Sequence, residues 1–182
     1  LSSDQVRALT TAQIASLASE DLNALTSEQF PVLTTDQMAA LTTTQVSTLE
    51  TADVAALTPA QIAAMTTRGI YAVETASAAA LTSTQVAALT TTQLRAMDTS
   101  DLVKIGTDAL GGLGTQQIAA LSTLQLSVLG SEQLQALSTA QLQGLSTAQL
   151  ASLSTDDLNQ LTAAQFQSLG TAQIVGLSTL QF

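Results

Sequence analysis

An aliphatic residue stands at every eighth position of this chain, from Leu1, Leu9 and Leu17 through to Leu177, without a slip of register across 23 copies. A chain so constrained is one short unit copied many times, and it folds by stacking that unit on itself. In register the octad reads Leu, Ser/Thr, Ser/Thr, variable, Gln, aliphatic, variable, small, as in Leu9-Thr10-Thr11-Ala12-Gln13-Ile14-Ala15-Ser16. Position one departs from Leu only at Met65, Val73, Met97 and Ile105, and position six is apolar from Val6 to Phe182, with Ala78 its one small member. Position five is Gln in 16 copies and Asp in four, namely Asp21, Asp53, Asp101 and Asp157. Two apolar positions per octad supply the core, and the strict polar positions need a separate cause.

That cause is a helix start repeated every eight residues. Ser or Thr at position two with Gln three residues on is the capping box, in which the hydroxyl caps an early N–H and the Gln reaches back to the cap residue's N–H. The Leu before the cap and the aliphatic residue five further on occupy the two places of a hydrophobic staple. Pro59 sets the register, because proline is tolerated at the first helical position, which makes Thr58 the cap and Gln61 the third helical residue. Asp98, Gly106, Gly114, Gly130 and Gly170 are acceptable caps, whereas Glu50, Glu74 and Ala18 are weak ones.

Other secondary structures fit worse. In one continuous helix the apolar stripe would advance about 80° per octad and leave any single face. In a strand, positions one and six would point to opposite faces, and Gln and Ala are poor strand residues, so a β-solenoid is the weaker competitor. The octads therefore read as an all-α solenoid, a superhelix of one-helix repeats of about six residues joined by tight turns. Helices this short are unstable alone and must pack on their neighbours. Acidic residues recur at the cap position at Glu50, Glu74 and Asp98, 24 residues apart, which favours three octads per coil. Asp21 and Asp53, 32 residues apart, argue for four, and two also stays open.

Residues 1–182 read as a single solenoid domain in which residues 65–112 contain degenerate octads, at 65–80 and 97–112. The chain starts in register at Leu1 and stops six residues into an octad at Phe182, which is expected of a segment of a longer array or of a subunit that stacks end to end. A core of Leu and Ile over Ala suits a thin solenoid, and small residues at position eight, such as Ala40, Ala88 and Gly144, imply close helix approach. Positions four and seven are expected to face solvent. Thr and Gln interrupt every octad, so no stretch reaches the roughly 18 apolar residues of a membrane span, and no membrane insertion is expected. Fourteen acids against four bases give a net charge of −10, which disfavours nucleic acid and anionic membrane as partners.

Residues 65–112 hold three of the four bases and the only Tyr, and Gln is lost at Gly69, Ser77 and Ala109. Arg68, Tyr71, Arg95 and Lys104 would form a partner patch if their octads stack; local kinking at the glycines is the plainer reading and the favoured one. No catalytic, cofactor-binding or metal-binding residue is assigned. There is no His, no Cys nucleophile and no Gly-rich phosphate loop, so the many Ser and Thr read as caps, and no enzyme is expected. Paired acids such as Glu20-Asp21 and Asp156-Asp157 read as solvated helix starts, where negative charge is favourable.

The string Leu-Thr-Thr-x-Gln-Ile/Val-Ala-Ala, interrupted at Thr66-Thr67-Arg68-Gly69-Ile70 and Val73-Glu74-Thr75-Ala76, resembles the octapeptide arrays of very large bacterial secreted or surface proteins, some adhesin-like or RTX-like, some with haem-utilisation labels. The resemblance covers the whole chain and concerns repeat type alone. It implies an exported module, extracellular or at the cell surface, that serves as a spacer or adhesin segment. With neither His nor Cys the chain leaves only Tyr71 and three Met residues as haem ligands, so no cofactor is expected. The expected role is a structural or interaction module, with protein partners or self-association through open solenoid ends. A self-assembling filament subunit is the first alternative, and binding of ice or a polysaccharide through Thr-rich rows the second.

Overall fold

The computed structural model describes residues 1–181. The described residues form short helices from Ser3–Ala8 to Thr171–Val175, four to six residues each, and contain no strand. Thr58 caps the helix that starts at Pro59, in the register the sequence sets. Each helix is followed by an extended pair, the position-one residue and the next cap: Leu9 has φ −63° and ψ 138°, and Thr10 has φ −71° and ψ 158°. Two extended residues between single-helix segments turn the chain at each joint, and the repetition winds it into a coil.

Consecutive helices do not lie side by side. Each packs on the helix three octads away, as Thr35–Ala40 does on Pro59–Ala64 and Pro59–Ala64 on Ser83–Ala88. Side-chain bonds between coils join residues 25 to 31 apart, so one coil takes between three and four octads. The core is a single apolar column along the coil, in which Val86, Leu94, Leu102, Leu110 and Leu126 have no exposed surface. At about 1.5–3 kcal/mol for each buried aliphatic side chain, this column is what holds helices too short to persist alone.

Caps follow the sequence closely. The full capping box forms at Ser2, Thr10, Thr34, Thr42 and Thr58 and again at Thr82, Thr90, Ser122, Ser138, Ser146, Ser154 and Thr162, while at Gly114, Gly130 and Gly170 only the Gln half is made. Ala18, Glu50, Glu74 and Gly106 make no side-chain cap, while Asp98 accepts from the Ser100 N–H at 2.8 Å. Positions four are exposed, and positions seven range from half-buried to exposed.

Two expectations need correction. The fourth octad is not an α-helix but a turn and a 3₁₀ segment, Phe30–Val32. Pro31 is the reason: it disfavours the α conformation at Phe30 and removes an N–H. The box survives in part, since Gln29 Oε1 still accepts from the Thr26 N–H at 3.0 Å. Position six also fails to be buried everywhere, because Phe166 is 37% exposed and Ile174 half-buried. In the first octads the exposed apolar position is instead position one, with Leu1 71% exposed while Val6, Ile14 and Leu22 are fully buried. The core assignment of Phe182 lies outside the described residues.

Position eight marks close approach, as its small residues imply. A Cβ built on Gly176 would lie 2.9 Å from Thr147 Cβ, on the coil beneath. The backbone there, φ −76° and ψ −12°, suits any residue, so the constraint is steric. Gly176→Ala is expected to lower stability by about 1–2 kcal/mol through overpacking; an unchanged urea midpoint would refute the close approach.

Candidate functional site

The residue that organises the array is the position-five Gln, and each of its amide atoms has a different task. The Oε1 atom stays within its octad and accepts from the cap N–H, as Gln93 does from Thr90 at 2.8 Å and Gln149 from Ser146 at 2.8 Å. The Nε2 atom crosses to the coil before. Gln93 donates to the carbonyls of Ile62 at 2.9 Å and Met65 at 2.7 Å, and Gln85 donates to Val54 at 2.9 Å and Leu57 at 2.7 Å. Every position-five Gln from Gln29 to Gln181 donates in this way to the position-one carbonyl 28 residues earlier, at 2.5 to 3.0 Å. Those carbonyls lie at the extended joints, where no helix supplies a donor. One buried amide thus satisfies a helix start and the joint beneath it.

The joints at Leu25, Leu41, Leu49, Val73, Leu81 and Leu129 are the exceptions, because the residues 28 later are Asp53, Gly69, Ser77, Asp101, Ala109 and Asp157. Among the described residues no side chain reaches these carbonyls. Leu49, Val73, Leu81 and Leu129 lie in the part of the chain that also carries the surface hollows.

One hollow is a groove of about 690 Å³ across three stacked octads, lined by Thr43, Thr44, Ser47, Arg68, Tyr71 and Ala96 among others. Tyr71 is 62% exposed. Beside it, sharing Tyr71 and Ala72, is a second hollow of about 470 Å³ lined by Glu74, Asp98, Ser100 and Asp101. Of the four residues suspected of forming a partner patch, Arg68 and Tyr71 share the first groove. Arg95 is in the helix that supplies Ala96 but does not line the groove. Lys104 lies apart, in a third hollow with Val128, Glu132 and Gln133. Stacking therefore joins two of the four and separates Lys104.

Sequence reasoning missed the acidic hollow. Its signal was the 24-residue recurrence of Glu50, Glu74 and Asp98, which marks one vertical column of octads, with Asp53, Ser77 and Asp101 in the Gln place of the same octads. The Asp101 carboxylate is buried and accepts from the Thr75 hydroxyl at 2.6 Å. Burial pushes its pKa above the ordinary carboxylate value; the Thr75 bond pulls it partly back, and Asp98 adds to the rise. Asp53 is raised by burial and then by the charge of Glu50. Asp98 goes the other way, lowered by its bonds from the Ser100 hydroxyl and N–H. Among the described residues no group of acids is placed to hold a metal ion, and no helix is long and apolar enough to cross a membrane.

A uniform joint, a continuous apolar column and shallow surface hollows define a helical repeat protein of the solenoid class. Its family follows from the comparison with known repeats, in which the ALTTAQ repeat model matches residues 14–51, 46–83, 94–131 and 126–163. The chain belongs to the ALTTAQ repeat family. No curated protein matches it.

Proposed function

We propose that the chain is a structural and interaction repeat module, a spacer or display scaffold within a large bacterial protein at the cell surface or outside the cell, and that it catalyses no reaction. The observation that carries this reading is the identity of the joint along the array. One Gln amide performs the same two bonds at octad after octad, so length is set by copy number and the exposed position four, with the partly exposed position seven, is free to vary. A scaffold needs that separation of framework from surface.

Removal of one whole octad, residues 121–128, is therefore expected to give a folded, shorter rod, because every Gln meets an equivalent joint one place along. Removal of residues 121–124 alone puts apolar positions out of register and is expected to unfold the chain around the cut. Small-angle scattering and circular dichroism distinguish the two, and equal damage from both deletions would count against a modular spacer.

A second reading, self-association end to end, draws on the same repeated joint: the Gln-to-carbonyl bond recurs from coil to coil, so two copies of the array can continue one another's column, a contact that need not close. Electron microscopy separates the readings: monodisperse rods support the spacer, and filaments that lengthen with concentration support stacking.

A further inference from the structure

Octads 49–56, 73–80 and 97–104 lie one above another, through the packing of Thr51–Ala56 on Thr75–Ala79 and of Thr75–Ala79 on Thr99–Leu102. In this column the Gln place is held by Asp53, Ser77 and Asp101, buried to 5%, 2% and 4% exposure, and the cap place by Glu50, Glu74 and Asp98. Elsewhere the same place holds an amide whose Nε2 donates to a joint carbonyl. A carboxylate offers no donor for the joint carbonyl that the amide serves elsewhere.

What partial substitutes exist are hydroxyl contacts, Thr51 Oγ1 with Ser77 Oγ at 3.3 Å and the Thr75 hydroxyl donating to Asp101. Neither reaches the carbonyls of Leu25, Leu49 or Val73. We propose that this column is an acid-sensitive seam in the solenoid: loosened when Asp53 and Asp101 are ionised, and closed when each binds a proton and donates its O–H to the carbonyl of Leu25 or Val73. The seam then acts as a built-in control on local opening, in the stretch that carries the Tyr71 groove.

The charged surroundings favour proton uptake. Beside Asp53 stands Glu50 on its own octad; of the elements packed on Thr51–Ala56, Thr75–Ala79 carries Glu74 at its cap and the 3₁₀ segment carries no titratable group. Around Asp101 stand Asp98 and Lys104 on its own octad, with Glu74 and Tyr71 lining the same hollow. Thr123–Ser127 carries none. Acids outnumber bases at both places. Both Asp pKa values are raised in the folded chain, chiefly by burial. A folded-state pKa above the unfolded value means that folding takes up protons, so the seam gains stability as pH falls through the raised values toward the ordinary one near 3.9.

The test is amide hydrogen exchange of the whole chain near pH 7 and near pH 4.5, read as protection factors for residues 73–81 and 97–105 against the fully bonded stretch 113–121. Acidification is expected to raise protection in the seam relative to the reference, in the direction the raised Asp pKa values set. The double variant Asp53→Gln, Asp101→Gln restores the donors used elsewhere in the array and is expected to hold the higher protection at both pH values. A Glu50→Gln, Glu74→Gln variant, which removes as much charge without restoring a donor, is expected to keep most of the pH response. Seam protection that does not change between the two pH values, or a response that survives in the Asp-to-Gln variant, would overturn the proposal.

Discussion

Gln93→Leu is expected to destabilise the chain by about 2–4 kcal/mol, a cost more typical of a core cavity than of a polar side chain in a short helix. Gln93 is 2% exposed, and its loss leaves two backbone groups without their side-chain partner, the Thr90 N–H and the Met65 carbonyl. Each such group costs about 1–3 kcal/mol when buried, and the exposed position of Thr90 puts its share at the low end. Ile62 suffers less, since its carbonyl also accepts from the Met65 N–H at 3.2 Å. Gln93→Glu sharpens the test by keeping the cap acceptor and the shape while removing the donor. It should be destabilising at neutral pH and partly recover on acidification, since a carboxyl pKa raised by burial adds stability as pH falls through it. Urea midpoints at two pH values measure both variants, and a Gln93→Leu protein as stable as the parent would refute the two-sided role of this amide.

Leu121→Asp carries the other large expectation, a loss of about 4 kcal/mol or more. Leu121 is 2% exposed, in a stretch with coils on both sides, so the new carboxylate gains neither water nor a partner charge. Ala140→Asp is the matched control: Ala140 is exposed at the second helical position of Thr139–Gln143, where a negative charge meets the helix N-terminus. Its effect should stay within about 0.5 kcal/mol. Equal effects of the two Asp substitutions would mean that position one does not build the core.

The local half of the fold is legible in the residues. Pro59 can stand only at a helix start, Thr58 and Gln61 then fall at the cap and third helical positions, and all three sit there. Capping needs only atoms within three residues of one another, so no distant part of the chain can alter it. Pro31 was equally local evidence; its effect on Phe30 is the departure that the eight-residue count conceals. The candidate patch was less legible, because which side chains share a hollow depends on how far the coil advances per octad. Arg68 and Tyr71 share a helix and stay together whatever the pitch, whereas Lys104 is carried to another hollow.

The sequence by itself determines that the chain is a run of short capped helices with an apolar residue at each joint. Only the tertiary structure decides that the coil closes between three and four octads, and with it what the far side of each Gln is for. The Oε1 acceptor answers to a neighbour three residues away, while the Nε2 donor answers to a carbonyl 28 residues away. A spacing of 28 is no whole number of octads, so repeat counting does not reveal it; the angle at the extended joints and the packing of each helix on the coil before it set that partner.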